Sequence, residues 1–204
     1  MSISLHQFDL PDGLALSGDL AVDTETLGLN LNRDRLCVVQ LSTGDGSAHL
    51  VHFPEPNYAA PNLKALLGDE GRTKIFHFAR FDLAVIERDL GVTCRPVYCT
   101  KVASRLVRTF TDRHGLRDLC RDLLEVEISK QQQSSDWGAA ELTEAQIAYA
   151  ASDVLYLHRL KEKLEVMLVR EGRGELAQAC FDFLPWRARL DLAGWPEVDI
   201  FAHV

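Results

Sequence analysis

The chain has 204 residues, 47% of them hydrophobic, and a formal net charge of −8 at pH 7, so it can bury one substantial core and has no room for a second full domain. So acidic a protein is not expected to coat long nucleic acid through a broad basic face, because that mode of binding scales with the phosphates neutralised. No apolar run of about 18 residues occurs, and residues 1–20 lack the basic start and apolar core of a secretory signal, so a soluble, cytoplasmic protein with no membrane partner is expected.

In chain order, Leu20-Ala21-Val22 is a short apolar strand leading into Asp23. The β-branched run Arg35 to Ser42 is a second strand, and Gly44-Asp45-Gly46 turns the chain into a third at Ala48 to Phe53. These three strands are expected as an antiparallel meander. After Pro54 and Pro56 a helix is expected near Asn62 to Leu67, a strand at Thr73 to His77, and a helix from about Phe81 to Leu90 that stops at Gly91. An extended piece follows near Val97, then helices near Lys101 to Val107 and Leu116 to Leu124, and a polar loop from Lys130 to Gly138. Beyond Leu142 comes a long helix whose start is set by Thr143-x-x-Gln146, a reciprocal capping box. Its buried stripe reads as Ile147, Ala148, Ala151, Leu155, Leu157 and Leu160. Strands first and helices later indicate an α/β domain, a mixed sheet flanked by helices.

Cys37, Cys94, Cys99, Cys120 and Cys180 are scattered, with no C-x-x-C pair and no zinc spacing, and read as reduced core thiols. Between Arg95 and Arg117 lie six basic residues, Arg95, Lys101, Arg105, Arg108, Arg113 and Arg117. They form either a solvated helix face or a local phosphate-facing patch on an otherwise acidic protein.

The chemistry sits in an ordered set of acids. Residues two apart on a strand point to one side, so Asp23 and Glu25 present adjacent carboxylates. Asp82 opens a helix, where a carboxylate also serves as an ordinary dipole partner. The capping box puts Tyr149 and Asp153, four apart, on one helical face. A carboxylate beside an apolar stripe needs a cation or a hydrogen-bond partner. Each piece alone is common, but four acids together suit two hard divalent cations, one activating water and one steadying the leaving oxygen in phosphodiester hydrolysis. With no histidine or cysteine ligand in the set, Mg²⁺ or Mn²⁺ is indicated over Zn²⁺. A tyrosine of reference pKa near 10 is a poor base at neutral pH, so Tyr149 is assigned to orienting the attacking water.

Three stretches, Val22-Asp23-Thr24-Glu25-Thr26-Leu27-Gly28-Leu29, His77-Phe78-Ala79-Arg80-Phe81-Asp82 and Tyr149-Ala150-Ala151-Ser152-Asp153, resemble the three motifs of the DEDDy branch of 3′–5′ exonucleases. The segment Lys130-Gln131 through Ser135-Asp136-Trp137 to Leu142-Thr143 is similar to the ribonuclease D group. His77-Phe78-Ala79-Arg80, Cys99-Thr100-Lys101 and the tail Trp186 to Pro196 resemble the short oligoribonuclease-type members of that group, the nanoRNase C type. The resemblance implies a ribonuclease H-like core with a five-stranded mixed sheet. It implies that Asp23, Glu25 and Asp153 hold a first ion, that Asp23 bridges to a second, and that Asp82 acts on the second through water. Thr26 would meet the terminal 3′-hydroxyl. Leu29 would wedge between the last two bases, its alternative being a loop residue packed on the core. His77 would contact a substrate phosphate or serve as a satisfied core histidine. The family often has Asn where Phe78 stands and Asp where Cys99 stands, so contacts made by those groups do not carry over.

Read this way, residues 1–180 are the exonuclease domain and 181–204 a C-terminal extension that packs back on its own subunit or meets another. The expected activity is 3′–5′ hydrolysis of short oligoribonucleotides, especially dinucleotides such as pGpG, to nucleoside monophosphates, with two Mg²⁺ or Mn²⁺ ions per site. DNA ends or longer RNA are the alternative substrates, and a homo-octamer is the expected assembly.

Overall fold

The computed structural model describes residues 2–129, 131, 132 and 134–203. Six strands, β1 (Ser2–Gln7), β2 (Leu20–Thr26), β3 (Leu36–Ser42), β4 (Ser47–His52), β5 (Lys74–Phe76) and β6 (Val97–Cys99), form one mixed sheet in the order β1-β4-β3-β2-β5-β6. The meander is as expected, β2 with β3 and β3 with β4 both antiparallel. Six strands replace the expected five, because Ser2–Gln7 joins the edge in parallel with β4. Four of its six residues are Ser, His or Gln, a composition too polar to announce a strand, and an edge position asks for no more burial than it has. Central β3 is buried along its whole length, which is why it reads as a continuous apolar run rather than an alternation.

Seven helices complete the fold: α1 (Pro61–Gly68), α2 (Ala79–Leu90), α3 (Thr100–Val107), α4 (Leu116–Leu124), α5 (Glu144–Leu155), α6 (Leu157–Arg170) and α7 (Gly174–Leu192). Proline at its first turn and the Asp9 carboxylate, which accepts from the amides of Asn62 and Leu63 at 3.0 and 2.8 Å, start α1. Helix α5 lies across β1 to β4, and α2 packs on the sheet and on α7. The single long helix expected after Leu142 is two helices broken at Tyr156. The break resets the buried face of α5 to Gln146, Ala150, Ala151 and Val154 and leaves Ala148 exposed. Of the expected polar loop, Lys130 and Gln133 lie outside the described residues. Helix α7 runs unbroken through residue 181, Pro185 included. The cysteines are free thiols, four of them buried, and no described helix is long and apolar enough to cross a membrane.

Candidate active site

Strand β2 and helix α5 bring the acids together. Strand alternation sends Asp23 and Glu25 to one side, partly exposed, between buried Thr24 and Thr26. The expected capping box is formed: Thr143 Oγ1 accepts from the Gln146 amide at 3.3 Å, and Gln146 Oε1 accepts from the Thr143 amide at 3.0 Å. Gln146 Nε2 also donates to the Asp136 carbonyl at 3.1 Å, which ties the preceding loop to the helix start. With α5 so fixed, oxygens of Asp23, Glu25 and Asp153 lie within 4.8 Å of one another.

Asp82 lies outside that group of three and is buried at the first turn of α2. Thr24, which alternation turns away from Asp23 and Glu25, donates its hydroxyl to Asp82 Oδ1 at 2.7 Å. The four acids share one electrostatic neighbourhood. Burial pushes the Asp23 carboxyl up to about 7, against a favourable Thr24 amide. Glu25 is pushed up to about 10, by burial first and then by the charges of Asp23, Asp153 and Asp82. Burial and Asp23 raise Asp82, opposed by the Thr24 hydroxyl. Clustered, desolvated carboxylates take up protons or a cation. The all-oxygen donor set fits a hard divalent ion.

Burial, then Asp153, Glu25 and Asp23, push the Tyr149 phenol well above its ordinary value, so its proton stays on through neutral pH. Buried Trp137 packs against the Tyr149 ring, centroids 6.0 Å apart. This ring contact supports the Tyr149 side chain, and the resemblance of the Ser135-Asp136-Trp137 stretch to ribonuclease D was its trace in the sequence.

Asp23, Glu25 and Asp153 open onto a cavity of about 350 Å³ whose lining includes Leu29, His77, Phe78, Lys101, Arg117 and Tyr149. Leu29 is 84% exposed at the rim, so it projects rather than packing on the core. The loop beneath it has no room for a side chain at Gly28, where a Cβ would stand 3.0 Å from Asp34 Cγ. His77 Nδ1 lies 2.9 Å from Thr100 Oγ1, which itself donates to the Phe76 carbonyl. That arrangement makes Nδ1 the donor of the pair. Thr26 is buried, is absent from the cavity wall, and donates its hydroxyl to the Gly28 carbonyl at 2.5 Å. It therefore shapes the turn that presents Leu29.

Reasoning from sequence missed Phe78 as a wall residue. It sits at φ 67°, is 45% exposed, and carries Lys101 Nζ 4.3 Å from its ring centre. The basic run from Arg95 to Arg117 is not one patch. Lys101 and Arg117 reach the cavity, Arg95 stacks on Trp186, and Arg108 is buried in an ion pair with Asp122 at 2.5 Å.

A converging carboxylate cluster beside a helix-borne tyrosine, on a ribonuclease H-like sheet, defines a nuclease. Residues 9–169 match the family described as 3′-5′ exonuclease, and the chain belongs to that family, in its ribonuclease D-like branch. Ribonuclease D of Acidiphilium cryptum is 38% identical over 164 residues, covering 80% of this chain and 41% of that protein. The chain thus spans about two fifths of the curated relatives it matches. Among solved structures, Brucella melitensis NrnC bound to pGG is 58% identical with a TM-score of 0.97, and covers all of both chains. The same protein with bound Mg²⁺ superposes with a TM-score of 0.96 at 57% identity, again over all of both chains.

Proposed function

We infer that the chain is a divalent-metal-dependent 3′–5′ exoribonuclease that hydrolyses short oligoribonucleotides, dinucleotides such as pGpG among them, to nucleoside monophosphates. The observation that carries this reading is the meeting of Asp23, Glu25 and Asp153 within 4.8 Å at a cavity of about 350 Å³. That space is at the small end of ligand sites and suits a molecule the size of a dinucleotide. Support also comes from the likeness to a protein solved with pGG and with Mg²⁺.

Asp23, Glu25 and Asp153 would hold the first ion, with Asp23 shared by a second that Asp82 serves through water. Divalent ions bound there supply Lewis acidity toward the phosphate oxygens and lower the pKa of water. Tyr149 keeps its proton, so it orients the nucleophilic water as a hydrogen-bonding group and leaves base chemistry to others. Leu29 offers an apolar edge for a base, and Lys101 and Arg117 offer positive charge to a phosphate. The assembly proposed is a homo-octamer, for which exposed Trp195, Ile200 and Phe201 offer an apolar contact surface, with 181–204 acting as an extension of the exonuclease domain. Light scattering on the purified protein reads the assembly.

Length-resolved digestion of 5′-labelled RNA from two to ten nucleotides, beside duplex DNA, with Mg²⁺ or Mn²⁺ tests the reading. The expected result is metal-dependent loss of 3′ nucleotides with the highest kcat/KM on the dinucleotide. A preference of more than about tenfold, some 1.4 kcal/mol, for longer RNA or for DNA would reverse the substrate assignment.

A further inference from the structure

The helix that carries Asp82 starts without a cap from its own N-cap side chain and is held by groups from other elements. Its N-cap is Phe78, left-handed at φ 67°, whose own side chain makes no capping hydrogen bond, and the amides of Phe78 and Ala79 point to the Cys99 sulfur. The direction of such a helix end is set by what packs and bonds on it from outside. Arg80, two residues before Asp82, is gripped by the far end of the chain: its Nε and Nη2 donate to the two oxygens of Asp191 at 2.5 and 2.7 Å, and Nη2 also reaches the Pro196 carbonyl. The Asp191 side chain is only 4% exposed and is shared with Arg187 at 3.0 Å. Arg187 in turn donates to the Trp195 and Pro196 carbonyls at 2.8 and 3.1 Å, locking the turn that ends α7. A second tie between the same two helices lies further along α2, where Arg189 meets Glu87 at 2.6 Å and Thr93 at 2.9 Å.

We propose that the Arg80–Asp191 clamp is a positioning device for the reaction: the C-terminal end of α7 sets the first turn of α2 and thereby the place of the Asp82 carboxylate. Arg80 and Asp191 are positioning residues that touch neither substrate nor metal. A fork of two parallel hydrogen bonds fixes direction as well as distance, which a point contact cannot do. The tail thus becomes part of the catalytic apparatus, and the Arg189–Glu87 tie serves docking alone. The proposal rests on Asp82 serving a metal site, as inferred above.

The test compares Arg80→Met, Asp191→Asn, their double variant and Arg189→Met in the full chain. Measured are kcat and KM on a dinucleotide, Mn²⁺ affinity by water-proton relaxation without substrate, and Tm. Arg80→Met and Asp191→Asn are each expected to lower kcat about tenfold with KM within about twofold, because small misplacements of a catalytic group are costly. Both should weaken Mn²⁺ binding several-fold, and the double variant should be no worse than either single one, as expected for one shared interaction. Arg189→Met should lose comparable Tm and keep kcat and Mn²⁺ affinity. Unchanged kcat and Mn²⁺ affinity in both clamp variants would overturn the proposal, as would an equal loss in Arg189→Met. Should the parent protein cleave no oligonucleotide, the functional reading fails on its own, and Mn²⁺ affinity still judges the clamp.

Discussion

Asp23→Asn should make the metal-free protein more stable at alkaline pH while destroying its activity. In the folded chain the Asp23 carboxyl titrates near about 7 rather than the ordinary 3.8. Between those values the folded protein keeps a proton that the unfolded chain has released. Stability therefore declines as pH rises through that window and stays lost above it. Carried from about pH 5 to about pH 8.5, that difference is about 2.7 kcal/mol at 1.36 kcal/mol per unit, and water reaching the partly exposed group reduces it to about 2 kcal/mol. Asparagine keeps the shape and the hydrogen-bond acceptor but never ionises. In EDTA, calorimetry should give the variant a Tm advantage over the parent that is about 6 °C larger at about pH 8.5 than at about pH 5. Added Mg²⁺ should raise the parent's Tm and leave the variant's unchanged. A gain of the same size at both pH values, or none at the higher one, would refute the electrostatic account of the cluster.

Tyr149→Phe removes the orienting hydroxyl and keeps the ring against Trp137, so steady-state kinetics on a dinucleotide should show kcat lowered about 10- to 100-fold and KM little changed. An unchanged kcat would remove its role. Gly44→Ala places a Cβ at φ +80° and 2.8 Å from the His158 ring, neither residue lining the cavity. It should cost about 2 kcal/mol and lower Tm by about 5 °C with kcat intact; a Tm equal to the parent's would show that the turn relaxes freely.

Much of the site was legible because its parts are local. Alternation along Val22 to Thr26 paired two acids, and a four-residue capping box fixed the face shared by Tyr149 and Asp153. What the sequence hid is contact across the chain. The Thr24 hydroxyl reaches Asp82 over 58 positions, and Arg80 reaches Asp191 over 111; no periodicity encodes such partners. The run from Arg95 to Arg117 looked like one patch because charge was counted along the chain, whereas Arg108 turns inward to Asp122 and Arg95 to Trp186. The break at Tyr156 was invisible because apolar spacing continues across it, with Val154, Leu157 and Leu160 all buried on either side. Strand β1 was missed because an edge strand of alternating serine and aliphatic residues buries little and signals little.

The most direct measurement of the central claim is hydrolysis of a 5′-labelled diribonucleotide by the parent protein and by Asp153→Ala, each with Mg²⁺ and with EDTA. The account predicts mononucleotide product only from the parent with metal, and a folded but inactive variant of unchanged circular dichroism. Turnover by Asp153→Ala at the parent's rate, or undiminished cleavage by the parent in EDTA, would contradict it.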